Sequence, residues 1–287
     1  VSVRAAVFEA VGSPLRLLDL ELDPPGPGEM LVRVRATGLC HSDLSVLNGS
    51  RPRPTPMVLG HEAAGEVVEL GQGAESQFAV GDHVVMSFVP ACGSCRRCVA
   101  GRQALCEPGA AANRAGTLLG GHQRWRGPGG ARPYHHLGVS GFAEYAVVAT
   151  NSATKVDRDL PFEIAALFGC AVLTGAGAAF YSAAVAPGDK VAVFGLGGVG
   201  LAALLAVKAA GASTIVAVDV VEHKRLLARK LGATHEVAGG PDAVEAVREL
   251  TGGGADKVID TTGSEHVLAQ AYLATAAGGT TVTVGLP

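Results

Sequence analysis

Four of the six cysteines in this 287-residue chain stand within one short segment, at Cys92, Cys95, Cys98 and Cys106, in the pattern C-x2-C-x2-C-x7-C. Thiols at that spacing must converge in space, and a tetrahedral metal explains the convergence better than any other use. Zinc in a closed four-thiolate site is the usual structural form. An iron–sulfur cluster is the rival, but the bacterial ferredoxin run closes with a three-residue gap and a proline. Here the last gap is seven residues, and Glu107 follows Cys106. A DNA-reading zinc module would place basic residues on a recognition helix. Arg96, Arg97 and Arg102 are present, but the segment is too rich in glycine for such a helix.

The remaining cysteines fall in Gly38–Asp43, as Cys40, and after Phe168 and Gly169, as Cys170. Between them His61 sits in Gly60-His61-Glu62, so two cysteines and one histidine are left for a second metal. Their separation in sequence does not join them, and an isolated buried cysteine commonly acts as a small packed hydrophobe. The glycine-flanked setting of each, and the exhaustion of the other cysteines, favour ligation. Glu62 would then stand a carboxylate beside the ion.

A third signal begins at Gly195. Gly195-x-Gly197-x-x-Gly200 follows an apolar run, Val191 to Phe194, and opens a helical pattern. In that context glycines allow a tight turn and let a pyrophosphate approach backbone N–H groups at a helix start. Asp219 ends the next strand pattern, 19 residues past Gly200. A carboxylate there accepts from ribose hydroxyls and repels a 2′-phosphate, which predicts NAD over NADP. Lys224 follows within reach of the ribose, or is an ordinary surface lysine.

Two domains are expected. Residues 1–165 contain short strands such as Met30 to Ala36, Gly65 to Leu70 and Asp82 to Met86, which predict a β-rich domain or barrel with a metal lobe at about 90–110. Residues 107–133 show little periodicity and read as a long excursion. Residues 166–287 alternate strand and helix: strands at 191–194, 214–218, 235–238, 257–260 and 280–284, helices at 199–210, 222–231, 243–250 and 266–276. That is a doubly wound α/β pattern with a parallel sheet. A net charge of −3 argues against nucleic acid or an anionic membrane as partner. The uncharged stretch Ile164 to Ala186 contains Thr174 and Ser182 and is flanked by acids, so it reads as buried helix and loop rather than as a membrane span. Six cysteines patterned for metal fit a reducing cytoplasm rather than a disulfide framework.

Taken together, Gly60 to Gly65, the four-cysteine lobe, Cys170 with Thr174-Gly175, the Gly195 to Gly200 turn with Asp219, and Arg132 to Tyr145 resemble the zinc-dependent medium-chain dehydrogenase/reductase family. The last segment is similar to its class I and III alcohol dehydrogenase branch. The resemblance implies a GroES-like catalytic domain followed by a Rossmann domain, two zinc ions per chain, and NAD. It implies NAD-linked, reversible oxidation of an alcohol to an aldehyde or ketone, by hydride transfer from a zinc-bound alkoxide. Cys40, His61 and Cys170 become the catalytic-zinc ligands, a Cys2His set of the kind known from alcohol dehydrogenase. Ser42 takes the substrate proton, Asp43 orients His61, and Glu62 lies close to the metal. His41 contacts the coenzyme pyrophosphate, Thr174 lies near the nicotinamide, and Gly195, Gly197, Gly198, Val199 and Gly200 form the coenzyme turn. Phe88 matches a substrate-pocket position. A small-molecule alcohol or aldehyde is the partner, and the full-length family member is expected as a homodimer or homotetramer.

The sequence departs from the family at two points. Ser45 stands where animal class I enzymes place a histidine that finishes the proton path, so the relay must end in solvent or another base. Family members also run on for about another half-domain, so the nucleotide domain is expected to be incomplete, its fifth strand left with an open edge and the isolated product a poor enzyme. Polyol, aryl-alcohol and formaldehyde–thiol adduct dehydrogenases of the same family, and a silent nucleotide-binding form, are the alternatives. His83, His122, His235 and His266 read as surface or packing residues, and His135 and His136 as either lining the cleft or packed.

Overall fold

The computed structural model describes residues 1–285; Leu286 and Pro287, the last residues of the expected nucleotide domain, lie outside them. One compact unit spans Val1–Cys170 and a second begins at Ala171. The break comes later than residue 165 because Ala165 and Ala166 are buried against Ala64 of the first unit.

The first unit is built on short strands: β1 (Ser2–Phe8), β2 (Arg16–Leu22) and β3 (Glu29–Thr37), then helix α1 (His41–Leu47). There follow β4 (Met57–Val58), β5 (Ala63–Leu70), β6 (His83–Met86), helices α2 (Arg96–Val99) and α3 (Glu107–Ala115), β7 (Trp125–Arg126), β8 (Tyr134–His135), β9 (Tyr145–Ala149), β10 (Ala153–Lys155) and α4 (Phe162–Ala165). They form two five-stranded sheets, ordered β7-β2-β1-β4-β8 and β10-β6-β5-β3-β9. Strand β3 shows how alternation builds the core. Leu31 points into a cluster with Val3, Leu20 and Trp125, while Met30 and Val32 point into another with Val67, Val84 and Met86. The polar alternation seen in the sequence begins only at Arg33, which is exposed.

Residues 107–133 are more ordered than the sequence implied. Cys106 caps α3, its sulfur accepting from Gly109 N, and Gly116 ends the helix at φ 69°. Trp125 is wholly buried. Arg124 Nε donates to Glu29 Oε2 at 2.8 Å, an oxygen that also accepts from Gly26 N, so this segment is pinned to the start of β3. Burying a large aromatic ring stabilises the excursion without any helical or strand periodicity for a sequence to display.

The second unit contains helix α5 (Ala171–Gly177), then β11 (Lys190–Phe194), α6 (Gly198–Ala209), β12 (Thr214–Asp219), α7 (Glu222–Leu231), β13 (His235–Ala238), α8 (Ala243–Thr251), β14 (Ala255–Asp260), α9 (Glu265–Ala274) and β15 (Thr275–Thr283). The five strands form one parallel sheet in the order β13-β12-β11-β14-β15, the doubly wound arrangement expected. Helix α9 stops at Ala274, two residues short of the expected end. Thr275 turns extended there, pairs with Ala255, and gives its hydroxyl to Ala271 O at 2.9 Å. The uncharged stretch from Ile164 is broken into short helices, and no single helix among the described residues is long and apolar enough to cross a membrane.

His135 is fully buried beside Trp125, with ring centroids 6.0 Å apart. Its Nε2 accepts from Arg124 N at 3.1 Å, which fixes the neutral tautomer with the proton on Nδ1. Burial first, and then the Arg124 charge, press its pKa down to about 3. The unfolded chain takes up a proton near the ordinary value of about 6.5, and the folded chain does so only near its depressed value. Stability from this residue is therefore complete above pH ~6.5 and is lost as pH falls from there toward 3. His135→Gln, which keeps an acceptor for Arg124 N, should flatten the fall of the urea midpoint between pH 6.5 and 4. Parallel curves for the two proteins would show that His135 carries none of the acid sensitivity.

Candidate active site

In the cysteine lobe, α2 and the turns around it bring four sulfurs together. Cys92 Sγ and Cys98 Sγ are 4.0 Å apart, as are Cys95 Sγ and Cys106 Sγ. A disulfide needs a sulfur separation of about 2.0 Å. Four Zn–S bonds of about 2.3 Å in a tetrahedron put sulfurs roughly 3.8 Å apart. The set therefore fits a zinc ion, and all six cysteines of the chain are unpaired. Backbone N–H groups aim at these sulfurs: Cys92 N at Cys106 Sγ (3.2 Å), Cys95 N at Cys92 Sγ (3.3 Å) and Gly109 N at Cys106 Sγ (3.3 Å). Donors of this kind stabilise thiolate over thiol; those of Ser94 and Cys95 bring the Cys92 thiol down to about 6.

The second cluster is assembled from three loops of the first unit. Cys40 precedes α1, His61 and Glu62 lie between β4 and β5, and Cys170 follows the turn after α4. Their ligand atoms all lie within 4.8 Å of one another, so residues 130 positions apart meet as one donor set. His61 Nδ1 is 3.2 Å from Asp43 Oδ1 and must donate to it, because the carboxylate can only accept. The ring's Nε2 is left free to ligate, in the carboxylate–histidine arrangement that orients metal-binding imidazoles. Asp43 is itself fixed by Gly60 N (3.3 Å, to Oδ1) and Cys40 N (3.2 Å, to Oδ2).

Electrostatically the cluster calls for a cation. Burial opposes the charged form of His61, yet hydrogen bonds to Asp43 and Cys40 overcome it and raise the pKa to about 10. Burial likewise opposes ionising Asp43, and His136 and His61 more than offset it, so the carboxyl lies well below its usual range. The Cys170 thiol, hydrogen-bonded to Cys40, holds Cys40 down at about 4, while Cys170 itself is driven up. Burial and the Cys40 thiolate raise Glu62. Two thiols, an imidazole and a carboxylate compressed in this way suit zinc better than magnesium or calcium, which take oxygen ligands.

The neighbouring residues divide clearly. His41 opens α1 and is exposed, and Ser42 beside it is half-buried. Ser45 is buried, and its hydroxyl donates to His41 O at 3.1 Å, so it is spent on its own helix and cannot extend a relay. Phe88 sets its ring edge-on to His61 with centroids 6.0 Å apart. Asn113 Nδ2 donates to Phe88 O at 3.0 Å, which ties α3 to that ring's backbone. His136, one of the residues left open by the sequence, does pack into the cluster. It is buried, its ring centroid lies 5.5 Å from that of His61, and its Nδ1 is 3.2 Å from Asp43 Oδ1 without hydrogen-bond alignment. His135 is fully buried and faces Trp125 instead. The turn that carries both histidines is strained, with φ of 53° at Leu137 and 56° at Ser140. Such positions cost about 1–3 kcal/mol each and tend to gather at functional sites. No spacing rule in the sequence marks His136 or Asn113; the sequence leaves His136 open and gives no signal for Asn113.

In the second unit Gly195 takes φ 87°, which a side chain would resist, and ends β11. Gly197 precedes α6, and a Cβ placed on it would meet nothing within 4 Å. That open approach to a helix N-terminus is the space a pyrophosphate needs. Gly198 and Val199 form the first turn of α6, and Gly200 sits buried beneath it. Asp219 Oδ2 accepts from Leu196 N (2.7 Å) and Oδ1 from Val221 N (2.9 Å), which leaves lone pairs on both oxygens for hydroxyl donors. Lys224 Nζ lies 4.0 Å from Asp219 Oδ2. Thr174, half-buried on α5, precedes Gly175, whose lack of a side chain lets α5 close on Val199 O and Ala203 N of α6.

Comparison with known proteins agrees with both halves. Residues 26–158 match the model of the alcohol dehydrogenase GroES-like domain, and residues 198–287 that of the zinc-binding dehydrogenases. An NDMA-dependent alcohol dehydrogenase of Amycolatopsis methanolica is 41% identical over 297 residues, covering 100% of this chain and 77% of the relative. An S-(hydroxymethyl)glutathione dehydrogenase of Synechocystis is 39% identical over 289 residues, 99% of this chain and 78% of the relative. The crystal structure of an alcohol dehydrogenase zinc-binding domain protein from Burkholderia ambifaria superposes with a TM-score of 0.94 at 42% identity, over 100% of this chain and 78% of that one. With sequence, fold and donor sets in agreement along the whole length, the chain belongs to the zinc-dependent medium-chain dehydrogenase/reductase family, among its alcohol dehydrogenases.

Proposed function

We propose that this alcohol dehydrogenase uses NAD and binds two zinc ions, one for catalysis at Cys40, His61 and Cys170 and one for structure at Cys92, Cys95, Cys98 and Cys106. The observation that carries the reading is the convergence of Cys40, His61, Glu62 and Cys170, with His61 Nδ1 already committed to Asp43. When bound, zinc supplies Lewis acidity at the reacting oxygen and the nicotinamide supplies the hydride acceptor. The chain's own work is to hold and to move a proton. Asp43 keeps the His61 ring in one tautomer and one orientation. Phe88 covers one side of that ring and offers an apolar wall to the carbon skeleton of an alcohol. Ser42 Oγ, two residues past Cys40, accepts the hydroxyl proton of the substrate. With Ser45 turned into α1, Ser42 must pass the proton to solvent or to His41, which is exposed at the start of the helix.

One relative is named for its dependence on NDMA, so the coenzyme assignment rests on this chain's own Asp219. That carboxylate is held by two backbone N–H groups at the edge of the glycine turn, where it can accept from ribose hydroxyls and disfavour a phosphate. Gly195, Gly197, Gly198, Val199 and Gly200 would cradle the pyrophosphate, with Lys224 beside the ribose and Thr174 near the nicotinamide.

Zinc content, retention of zinc against a chelator, coenzyme affinity and turnover test these assignments. Metal analysis should return close to two zinc equivalents, and Cys40→Ser should remove one. Asp43→Asn should weaken retention of that same ion by about 10–100-fold against a chelator; a zinc content left unchanged by Cys40→Ser would remove the catalytic site. For the coenzyme, Asp219→Gly should raise the Kd for NADH and improve use of NADP, and a wild-type preference for NADP would reverse the role given to Asp219. Ser42→Ala should lower turnover by about 10²–10⁴-fold with zinc content intact, the range lost with a positioned proton acceptor. Unchanged turnover would take Ser42 out of the proton path.

A further inference from the structure

The parallel sheet of the second unit changes direction between β11 and β14. From β11 the chain moves outward to β12 and β13, then crosses to β14 and β15 on the other side. Ligands of open α/β sheets bind at such a point, beyond the strands' carboxyl ends. Phe194 pairs with Asp260 there, so Gly195 and Thr261 leave the sheet side by side.

The peptide joining Gly195 to Leu196 is held at both of its polar atoms. Its N–H, on Leu196, donates to Asp219 Oδ2 at 2.7 Å, from β12. Its carbonyl, on Gly195, accepts from Thr261 Oγ1 at 3.0 Å, from the end of β14. The same hydroxyl lies 3.2 Å from Phe194 O, and Thr261 N donates to that oxygen at 2.9 Å. Because C=O and N–H point opposite ways across a trans peptide, two partners on opposite flanks leave that plane no freedom to rotate. The peptides that follow, through Gly197 into α6, inherit their direction from it.

Thr261 directly follows a buried carboxylate, Asp260, that has no place in the chemistry described so far. Asp260 is 1% exposed. Its Oδ1 accepts from Thr262 N (3.0 Å) and Thr262 Oγ1 (2.7 Å), and its Oδ2 from Thr283 Oγ1 at the end of β15 (3.0 Å). No Lys, Arg or His pairs with it among the described residues, so these three donors sustain a buried acid. They also fix the backbone on which Thr261 stands. The fit around the turn is close: a Cβ on Gly195 would fall 2.8 Å from both Thr261 Oγ1 and Thr262 Cγ2, and one on Gly200 1.9 Å from Gly195 O.

We infer that Thr261, braced by Asp260, is a positioning residue for the coenzyme: its hydroxyl and the Asp219 carboxylate clamp the Gly195–Leu196 peptide from opposite strands and so aim the N–H groups at the start of α6 toward the pyrophosphate. The inference rests on the NAD reading above and adds a device to it. Thr261 touches no reacting atom, so it acts on coenzyme affinity and leaves the chemical step alone. It also joins the ribose end of the site to the phosphate end, because Asp219 serves both the turn and, in that reading, the ribose.

The test is NADH titration by fluorescence on the purified zinc-loaded protein, with zinc content, Tm and steady-state rates measured alongside. Thr261→Val keeps the shape and deletes the hydroxyl. It should raise the Kd and KM for the coenzyme by about three- to tenfold, the scale of one net hydrogen bond, with kcat at saturating coenzyme within about twofold and zinc unchanged. Thr261→Ser restores the donor and should restore the affinity. Thr283→Val, at an exposed position, removes one brace from Asp260 and should weaken NADH binding in the same direction by a smaller factor. A lower Tm with wild-type NADH affinity in Thr261→Val and Thr283→Val would make the contact structural only and overturn the inference alone. Absence of NADH binding by the wild-type protein would overturn the coenzyme reading and this inference together.

Discussion

The catalytic half of the molecule depends on a single carboxylate. Asp43 lies in the first turn of α1, where it accepts from the backbone N–H of Cys40, and it also accepts from Gly60 N and His61 Nδ1. It therefore sets the position of one candidate ligand through the backbone and the orientation of another through its ring. Removing such a carboxylate would leave a buried imidazole, the buried N–H of Gly60 and the partly buried N–H of Cys40 unsatisfied, the buried groups each at a cost of about 1–3 kcal/mol. The strained turn through Leu137 and Ser140, which sets His136 against the same carboxylate, is stabilised by Ser140 Oγ accepting from His136 N at 3.0 Å.

Much of this was legible in the chain, for reasons that differ from element to element. The four-cysteine lobe is local, so its spacing carries its geometry. The parallel sheet has strongly periodic helices and β-branched strands, and its five strands are where the pattern placed them, with ends moved by one to five residues at β15, β14 and α9. Cys40, His61 and Cys170 were joined by exhaustion of cysteines and by family resemblance, because nothing in their spacing brings three loops together. The fold supplies that convergence.

What stayed hidden shares one property. The burial of Trp125 and the contacts of Asn113, His136 and Thr261 all depend on partners far away in sequence. Helix α3 has the alanines and the capping residue of a helix, but Gly109 and Pro108 in its first turn obscured it. Thr261 sits in an ordinary-looking Asp-Thr-Thr-Gly turn. Only the pairing of β11 with β14 shows which carbonyl its hydroxyl meets. Side chains that act on backbone groups of a neighbouring strand leave no periodic trace.

The contact between Asn113 and Phe88 changes how the cysteine lobe should be regarded. Cys106 ends the lobe and caps α3 through Gly109 N; α3 carries Asn113; Asn113 holds the Phe88 carbonyl; and the Phe88 ring edges against His61. Arg53 joins the same path by donating to Asn113 O at 2.9 Å. The two donor sets are thus the ends of one short strut of covalent links, hydrogen bonds and a final ring contact. The lobe becomes a buttress for the candidate site, and fraying that starts at its thiols has a direct mechanical route to the ring beside His61.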